Sequence, residues 1–259
     1  MRFAARLLAL AVALTSATSL QADIAQSERK SSYDMMAPEN RAMQDDDMTN
    51  PAMLSVLDGE TLWNRKTGES DKSCADCHGD ARKAMRGTAA RYPAQDVATR
   101  RVVGLEERIG LCQAREQKST PFARETRDML ALSTFIALQS RGLPISPSQD
   151  ENLQRAIERG RALYFKRQGQ LNLSCANCHD DNWGRKLGGA TIPQGHPTGY
   201  PIYRLEWNSV GSLQRRLRNC LTGMRAEVYG LGAPELTDIE AYLMWRARGM
   251  VMDAPGVRP

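Results

Sequence analysis

Two pentapeptides carry the strongest chemical signal in this sequence: Cys74-Ala75-Asp76-Cys77-His78 and Cys175-Ala176-Asn177-Cys178-His179. Both are Cys-x-x-Cys-His, the pattern of covalent haem attachment. The two thiols form thioethers with the porphyrin vinyl groups, and the adjacent histidine reaches the iron from the proximal side. One copy alone also suits a redox dithiol or half of a zinc site. Two copies, in repeated surroundings behind an export signal, point to two covalently bound c-type haems. Haem in the middle of each half also accounts for the low aromatic content of 6%.

Each iron then has a distal side. The chain holds three histidines, and with His78 and His179 used only His196 is spare, in the loop sequence QGHPTGYP. Methionines are plentiful, but Met129, Met224, Met244 and Met250 do not fall at equivalent places after the two motifs. Two cysteines do: Cys112 ends LEERIGLC and Cys220 ends LQRRLRNC. Two arrangements stay open on the residues alone. One is a Cys112–Cys220 disulfide, natural for an exported protein. The other is one distal thiolate per haem, with Cys112 on the first iron and Cys220 on the second, which asks only that each half repeat its own plan. A cysteine kept deprotonated beside cations is also a nucleophile. Arg215, Arg216 and Arg218 flank Cys220, and Arg216 sits four residues before it, on the same helix face. Its planar fork suits a small anion next to the sulfur.

The elements that position these residues come in duplicate. GETLWNRKTGESDKSCADCH, from Gly59, aligns with GRALYFKRQGQLNLSCANCH, from Gly160, at one constant offset. The two cysteine-ended helices follow, and then STFIALQSRG and EAYLMWRARG. Both of these have helical apolar spacing with an aromatic, Phe135 or Tyr242, on the apolar face, and both end in Arg-Gly. Strand signals are scarce. The expected fold is mainly α: two tandem class I cytochrome c-like haem domains related by internal duplication. The expected boundaries are 1–22 signal peptide, 23–50 N-terminal arm, 51–143 first haem domain and 144–259 second haem domain, the last containing the active site. Ser148 with Glu151, and Thr237 with Glu240, offer capping boxes for two helices. The arm is polar and rich in Met and acid, in the manner of a disordered or surface-bound segment.

Residues 1–22 read as a secretory signal: Arg2 and Arg6, the apolar run Leu7 to Leu14, then small residues up to Ala22. No later apolar run approaches the roughly 20 residues of a spanning helix, so a soluble, exported protein without a membrane span is expected. The net charge of +5 falls further when Arg2 and Arg6 leave. No basic stripe carries interleaved aromatics, which excludes nucleic acid as a partner.

The stretches MQDDDMTNPAML, QGHPTGYPIYRLEW, GSLQRRLRNCLTGMRAE and ELTDIEAYLMWRARG, with both Cys-Ala-x-Cys-His motifs, resemble the SoxA family. These are dihaem c-type subunits of the thiosulfate-oxidising SoxAX cytochrome, and the resemblance covers nearly the whole chain after residue 22. It implies that Cys112 and Cys220 are the distal ligands and that Cys220 is the active-site sulfur, carried as a persulfide. It makes Arg216 the substrate-binding residue. It implies an L-cysteine S-thiosulfotransferase activity, in which thiosulfate is joined to a cysteine of the carrier SoxYZ. Electrons then pass to the monohaem partner SoxX and a soluble cytochrome c acceptor, in the periplasm. The alternatives are a dihaem thiosulfate dehydrogenase forming tetrathionate and a plain dihaem electron-transfer cytochrome.

Overall fold

The computed structural model describes residues 24–259; the signal peptide expected at 1–22 lies outside the described residues. The first half runs α1 (Pro38–Asp45), α2 (Ala52–Asn64), α3 (Cys74–His78), α4 (Ala81–Ala84), the hairpin β1 (Ala94–Gln95) and β2 (Val102–Val103), α5 (Leu105–Cys112) and α6 (Arg127–Leu138). The second half runs α7 (Glu151–Phe165), α8 (Cys175–His179), the hairpin β3 (Lys186–Leu187) and β4 (Ala190–Thr191), β5 (Ile202–Arg204), β6 (Ser209–Gly211), α9 (Leu213–Gly223), α10 (Pro234–Arg246) and β7 (Gly256–Arg258). The fold is mainly helical, as the sequence suggests. α5 and α9 begin at the matched residues Leu105 and Leu213.

Each half is built on one long-helix crossing, α2 with α6 and α7 with α10. The crossings are close because the repeat places a glycine at each contact point. A Cβ on Gly59 would lie 2.2 Å from the Ala131 carbonyl oxygen, and one on Gly160 would lie 1.9 Å from that of Asp238. Matched aromatics fill the space beside these contacts: Trp63 lies 6.0 Å from Phe135, and Tyr164 lies 5.2 Å from Tyr242, centroid to centroid. Phe135 and Tyr242 are both buried, as their helical spacing requires. The turns after α6 and α10 pass through Gly142 and Gly249, both at positive φ, where an L side chain is disfavoured. A third core, with Ala137, Ile145, Met244 and Met252, joins the halves.

Both proposed capping boxes before long helices are corrected. α7 is capped by Asp150, whose Oδ1 accepts from Leu153 N at 2.8 Å, while Ser148 Oγ donates to Asp150. Thr237 and Glu240 lie inside α10, which starts at Pro234; proline at the first helical position is preorganised for that start. Capping boxes do form elsewhere, at the two haem motifs: Ser73 with Asp76, and Ser174 with Asn177.

The arm is ordered and wraps over the second half. Lys30 N donates to Gln194 Oε1 at 2.7 Å, and Gln194 Nε2 donates to Glu28 O. Gln44 receives Val257 N at 2.9 Å, beside the parallel pair β5–β7. His196 also serves the arm: its Nδ1 bonds Lys30 O at 2.8 Å. Burial holds its pKa down at about 4, below the ordinary 6.5. The unfolded or detached state therefore binds the extra proton, and this contribution is present above pH 6.5 and lost as pH falls towards 4. Proteolysis or hydrogen exchange of residues 24–37 should accelerate across that window, and His196→Gln should flatten the dependence.

Candidate functional site

Cys74, Cys77, His78 and Cys112 line one cavity of about 670 Å³ in the first half, within the range of cofactor pockets. Trp63, Ile109, Leu132 and Ile136 supply its apolar wall. Cys112 arrives there at the C-terminal end of α5. That helix is anchored by Asp96 in the β1–β2 turn, which accepts from Arg108 at 2.8 Å and from both Arg115 terminal nitrogens at 2.9 and 3.0 Å. These arginine bonds, together with Thr99, hold the Asp96 carboxyl far below the usual carboxylate range.

In the second half the equivalent residues meet directly. His179 Nδ1 lies 2.7 Å from Pro193 O. A bond to a carbonyl fixes the tautomer and frees the other ring nitrogen, the usual arrangement around a ligating histidine. The His179 side chain also hydrogen-bonds the Cys220 sulfur. Cys175 and Cys178 both feel the charge of Cys220. Among the described residues every cysteine is unpaired. The disulfide alternative is therefore not formed: Cys112 and Cys220 sit in separate sites, each facing its own motif.

The residues fit c-type haem. Each motif is one helical turn, so its two thiols and its histidine project into the same space. Burial pushes Cys74 up to about 11 and Cys175 up to about 12. Thiols at that depth stay uncharged, as thioethers are. His196 is committed to the arm, and Met129 and Met244 are core residues.

The two distal cysteines differ. Burial raises Cys112, with Arg108 as the main opposing charge. Burial also acts against the Cys220 thiolate, but the His179 hydrogen bond and the charges of Arg216, His179 and Arg204 outweigh it and bring its pKa below the ordinary value. Arg216 lies on α9 one turn before Cys220, as helical spacing suggests, and among the described residues no carboxylate pairs with it. Arg215 is occupied, over Trp207 at 4.3 Å and 3.8 Å from Glu125. Arg218 lines a different groove, with Asn219 and Thr222. Sequence reasoning missed Arg204 and Tyr200. Arg204 is buried on β5, and Tyr200 carries a phenol raised to about 12 by burial while facing Arg216 and Cys220. Tyr200 precedes β5 and Arg204 ends it, in a stretch too short for a period to mark a direction.

Behind His179, Asp180 accepts from Tyr164 Oη at 2.9 Å and from the buried Arg246 at 2.7 Å. Arg246 lies over the Tyr164 ring at 4.8 Å. Removing one partner of a buried ion pair costs about 3–5 kcal/mol. Arg246→Met should accordingly lower the thermal midpoint measurably more than a surface arginine change such as Arg127→Met.

Two covalent-haem motifs, each on a helical cytochrome fold and each facing a cysteine, define a dihaem c-type cytochrome. The chain belongs to the SoxA/TsdA cytochrome c domain family, whose model matches residues 58–145 and 159–252, and it carries two c-type haems. It is 36% identical over 221 residues to the L-cysteine S-thiosulfotransferase subunit SoxA of Pseudaminobacter salicylatoxidans, covering 85% of this chain and 77% of that protein. The subunit of the same name from Rhodovulum sulfidophilum is 32% identical over 231 residues, covering 89% of this chain and 80% of that protein. The crystal structure of SoxXA from P. pantotrophus superposes with a TM-score of 0.85 at 30% identity, covering 89% of this chain and 87% of that one. Among the described residues no helix is long and apolar enough to cross a membrane.

Proposed function

We propose that this chain is the SoxA-type subunit of an L-cysteine S-thiosulfotransferase, acting in the periplasm after loss of residues 1–22. It couples thiosulfate to a cysteine thiol of the SoxYZ carrier, with SoxX as its haem partner and a soluble cytochrome c as final acceptor. The observation that carries this is Cys220: its sulfur is hydrogen-bonded to the motif histidine His179 and stands beside the unpaired cation Arg216. The names of the relatives and the likeness to SoxXA support it.

Arg216 holds the sulfonate end of thiosulfate, a dianion, by charge-assisted bonds. The terminal sulfur then faces Cys220. Haem, when bound, supplies a route by which electrons leave. A sulfur–sulfur bond forms between the Cys220 thiolate and thiosulfate as two electrons depart. The carrier thiolate then attacks the thiosulfate-derived sulfur, the bond to Cys220 breaks, and Cys220 returns as thiolate. The resemblance implies that Cys220 is carried as a persulfide, which would place a nucleophilic sulfur one atom further out.

Arg216→Gln should lower kcat/KM for thiosulfate by about 10- to 100-fold, the worth of a hydrogen bond to a charged group. Arg216→Lys should recover part of that loss, because charge returns without the fork. The reading itself is tested by incubating the oxidised protein, with its haem partner, with thiosulfate and the carrier. One thiosulfonate group added to the carrier cysteine, with haem reduction, supports it. Tetrathionate formed without any carrier would replace it with the dehydrogenase reading.

A further inference from the structure

A mainly apolar cavity of about 90 Å³, with a few polar groups in its wall, lies in the seam between the two halves, and the sulfur chemistry makes no use of it. Tyr92 and Leu105 line it and also line the haem cavity of the first half. Tyr200, which faces Cys220 and Arg216, also lines it. The wall holds two carboxyls, Glu106 of α5 and Glu240 of α10. Its volume exceeds the roughly 10–15 Å³ that a water molecule needs, and the two carboxyls are among the few polar partners its wall offers.

The charges facing the seam do not balance. Glu107 takes Arg101 at 2.7 Å and Arg124 at 3.2 Å. Glu125 accepts from Ser212 N at 3.1 Å and has Arg215 at 3.8 Å. Glu106, buried, is left with Arg124 at 3.9 Å. Among the described residues Glu240 has a neutral hydrogen-bond partner, Gln214 Nε2, at 3.1 Å and no ion pair. Its Oε2 also packs on Gly104, the N-cap of α5, where an added Cβ would lie 3.3 Å away. Four carboxyls thus meet three guanidiniums, and two of the four lack a close cation. Burial lifts Glu106 to about 8 and Glu240 to about 7. Tyr92 and Tyr200 are raised by burial and stay protonated.

We propose that Glu106 and Glu240 form a proton-binding site that takes up a proton from water when an electron enters the haem of the first half. The electron goes to the iron and comes from the sulfur oxidation or from any external donor. One O–H bond forms on a carboxylate, and no other bond changes. The coupling is electrostatic. Glu240 of α10 packs on Gly104 at the N-terminal end of α5, Glu106 lies in the first turn of that helix and Cys112 ends it, a span of about 12 Å. A unit charge at that range, with an effective dielectric constant near 20, changes a proton affinity about tenfold. By reciprocity, the bound proton favours the electron by the same factor. The proposal rests on the haems and not on the identity of the sulfur substrate, so its failure would leave the thiosulfate reading intact.

The test is spectroelectrochemistry of the dihaem protein from pH 5 to 9, with redox-difference infrared spectra of the carboxyl C=O band. The potential of the first-half haem should fall through the window around pH 7–8 by the equivalent of about a tenfold change in equilibrium constant, and level off outside it. A protonated-carboxyl band should appear on reduction. Glu106→Gln and Glu240→Gln should each reduce both signals, and the pair should abolish them with haem spectra unchanged. If the double variant loses haem, the infrared band in the two single variants decides. A pH-independent wild-type potential, or a slope and band that persist in the variants, would overturn the proposal.

Discussion

Cys220→Ser should abolish thiosulfate-dependent transfer to the carrier while both haems stay attached. The expected loss is at least about 10³-fold, the order seen when a covalent nucleophile is removed from a working site. Serine keeps the shape of the side chain but not its thiolate chemistry. Its hydroxyl is a far weaker nucleophile at neutral pH, and an oxygen–sulfur bond to thiosulfate would not exchange with the carrier thiol. Haem attachment should survive because it depends on Cys74, Cys77, Cys175 and Cys178, none of which is changed. Cys112→Ser is the matched control: it removes the equivalent cysteine from a cavity with no counterpart of Arg216, since Arg108 is engaged by Asp96. That variant should keep a substantial fraction of the transfer rate. The measurement is carrier modification by mass spectrometry, with covalent haem counted on the same samples. Undiminished transfer by Cys220→Ser would remove Cys220 from the chemistry.

Gly160→Ala should destabilise the protein by about 3 kcal/mol, the upper end of overpacking costs. The added methyl would fall 1.9 Å from the Asp238 carbonyl oxygen and 2.9 Å from Tyr242 Cβ. The first of these atoms is backbone and cannot turn away, so α7 and α10 must separate. Separation also disturbs the Tyr164–Tyr242 contact behind His179. In a chain of this size the midpoint of thermal unfolding should fall by roughly 6–12 °C. Gly59→Ala should behave similarly at the α2–α6 crossing. A shift of a degree or less at Gly160 would mean that the crossing is looser than described.

Much of this architecture is legible in the residues. The Cys-x-x-Cys-His motifs, the paired glycines and aromatics, and the equivalent positions of Cys112 and Cys220 all follow from a duplication, and duplication preserves spacing. The helix phase that puts Arg216 beside Cys220 is equally local. Non-local features are less visible. β5 and β7 are three residues each, pair across the whole second half, and are too short to show alternation. The arm docks through backbone groups, Glu28 O, Lys30 N and Lys30 O, and through scattered side chains, Arg29, Ser32, Gln44 and Asn50, that follow no period. Its polar composition leaves a disordered and a surface-bound arm open, and the structure has the surface-bound one. The Thr237–Glu240 pattern has the spacing of a cap, yet Pro234 sets the helix start earlier. The difference between Cys112 and Cys220 comes from the histidine contact and the charges of Arg216 and Arg204, and Arg204 ends a three-residue strand too short to show a period.

The central claim is that each half presents one histidine and one cysteine thiolate to its iron, with the second pair forming the working sulfur site. The most direct measurement is the low-temperature EPR spectrum of the oxidised protein, recorded for the native chain and for Cys112→Ser and Cys220→Ser. Two low-spin thiolate-ligated haem signals in the native protein, each variant losing a different one, is the predicted result. A single thiolate signal, or none, would contradict it and make the unassigned cysteine structural.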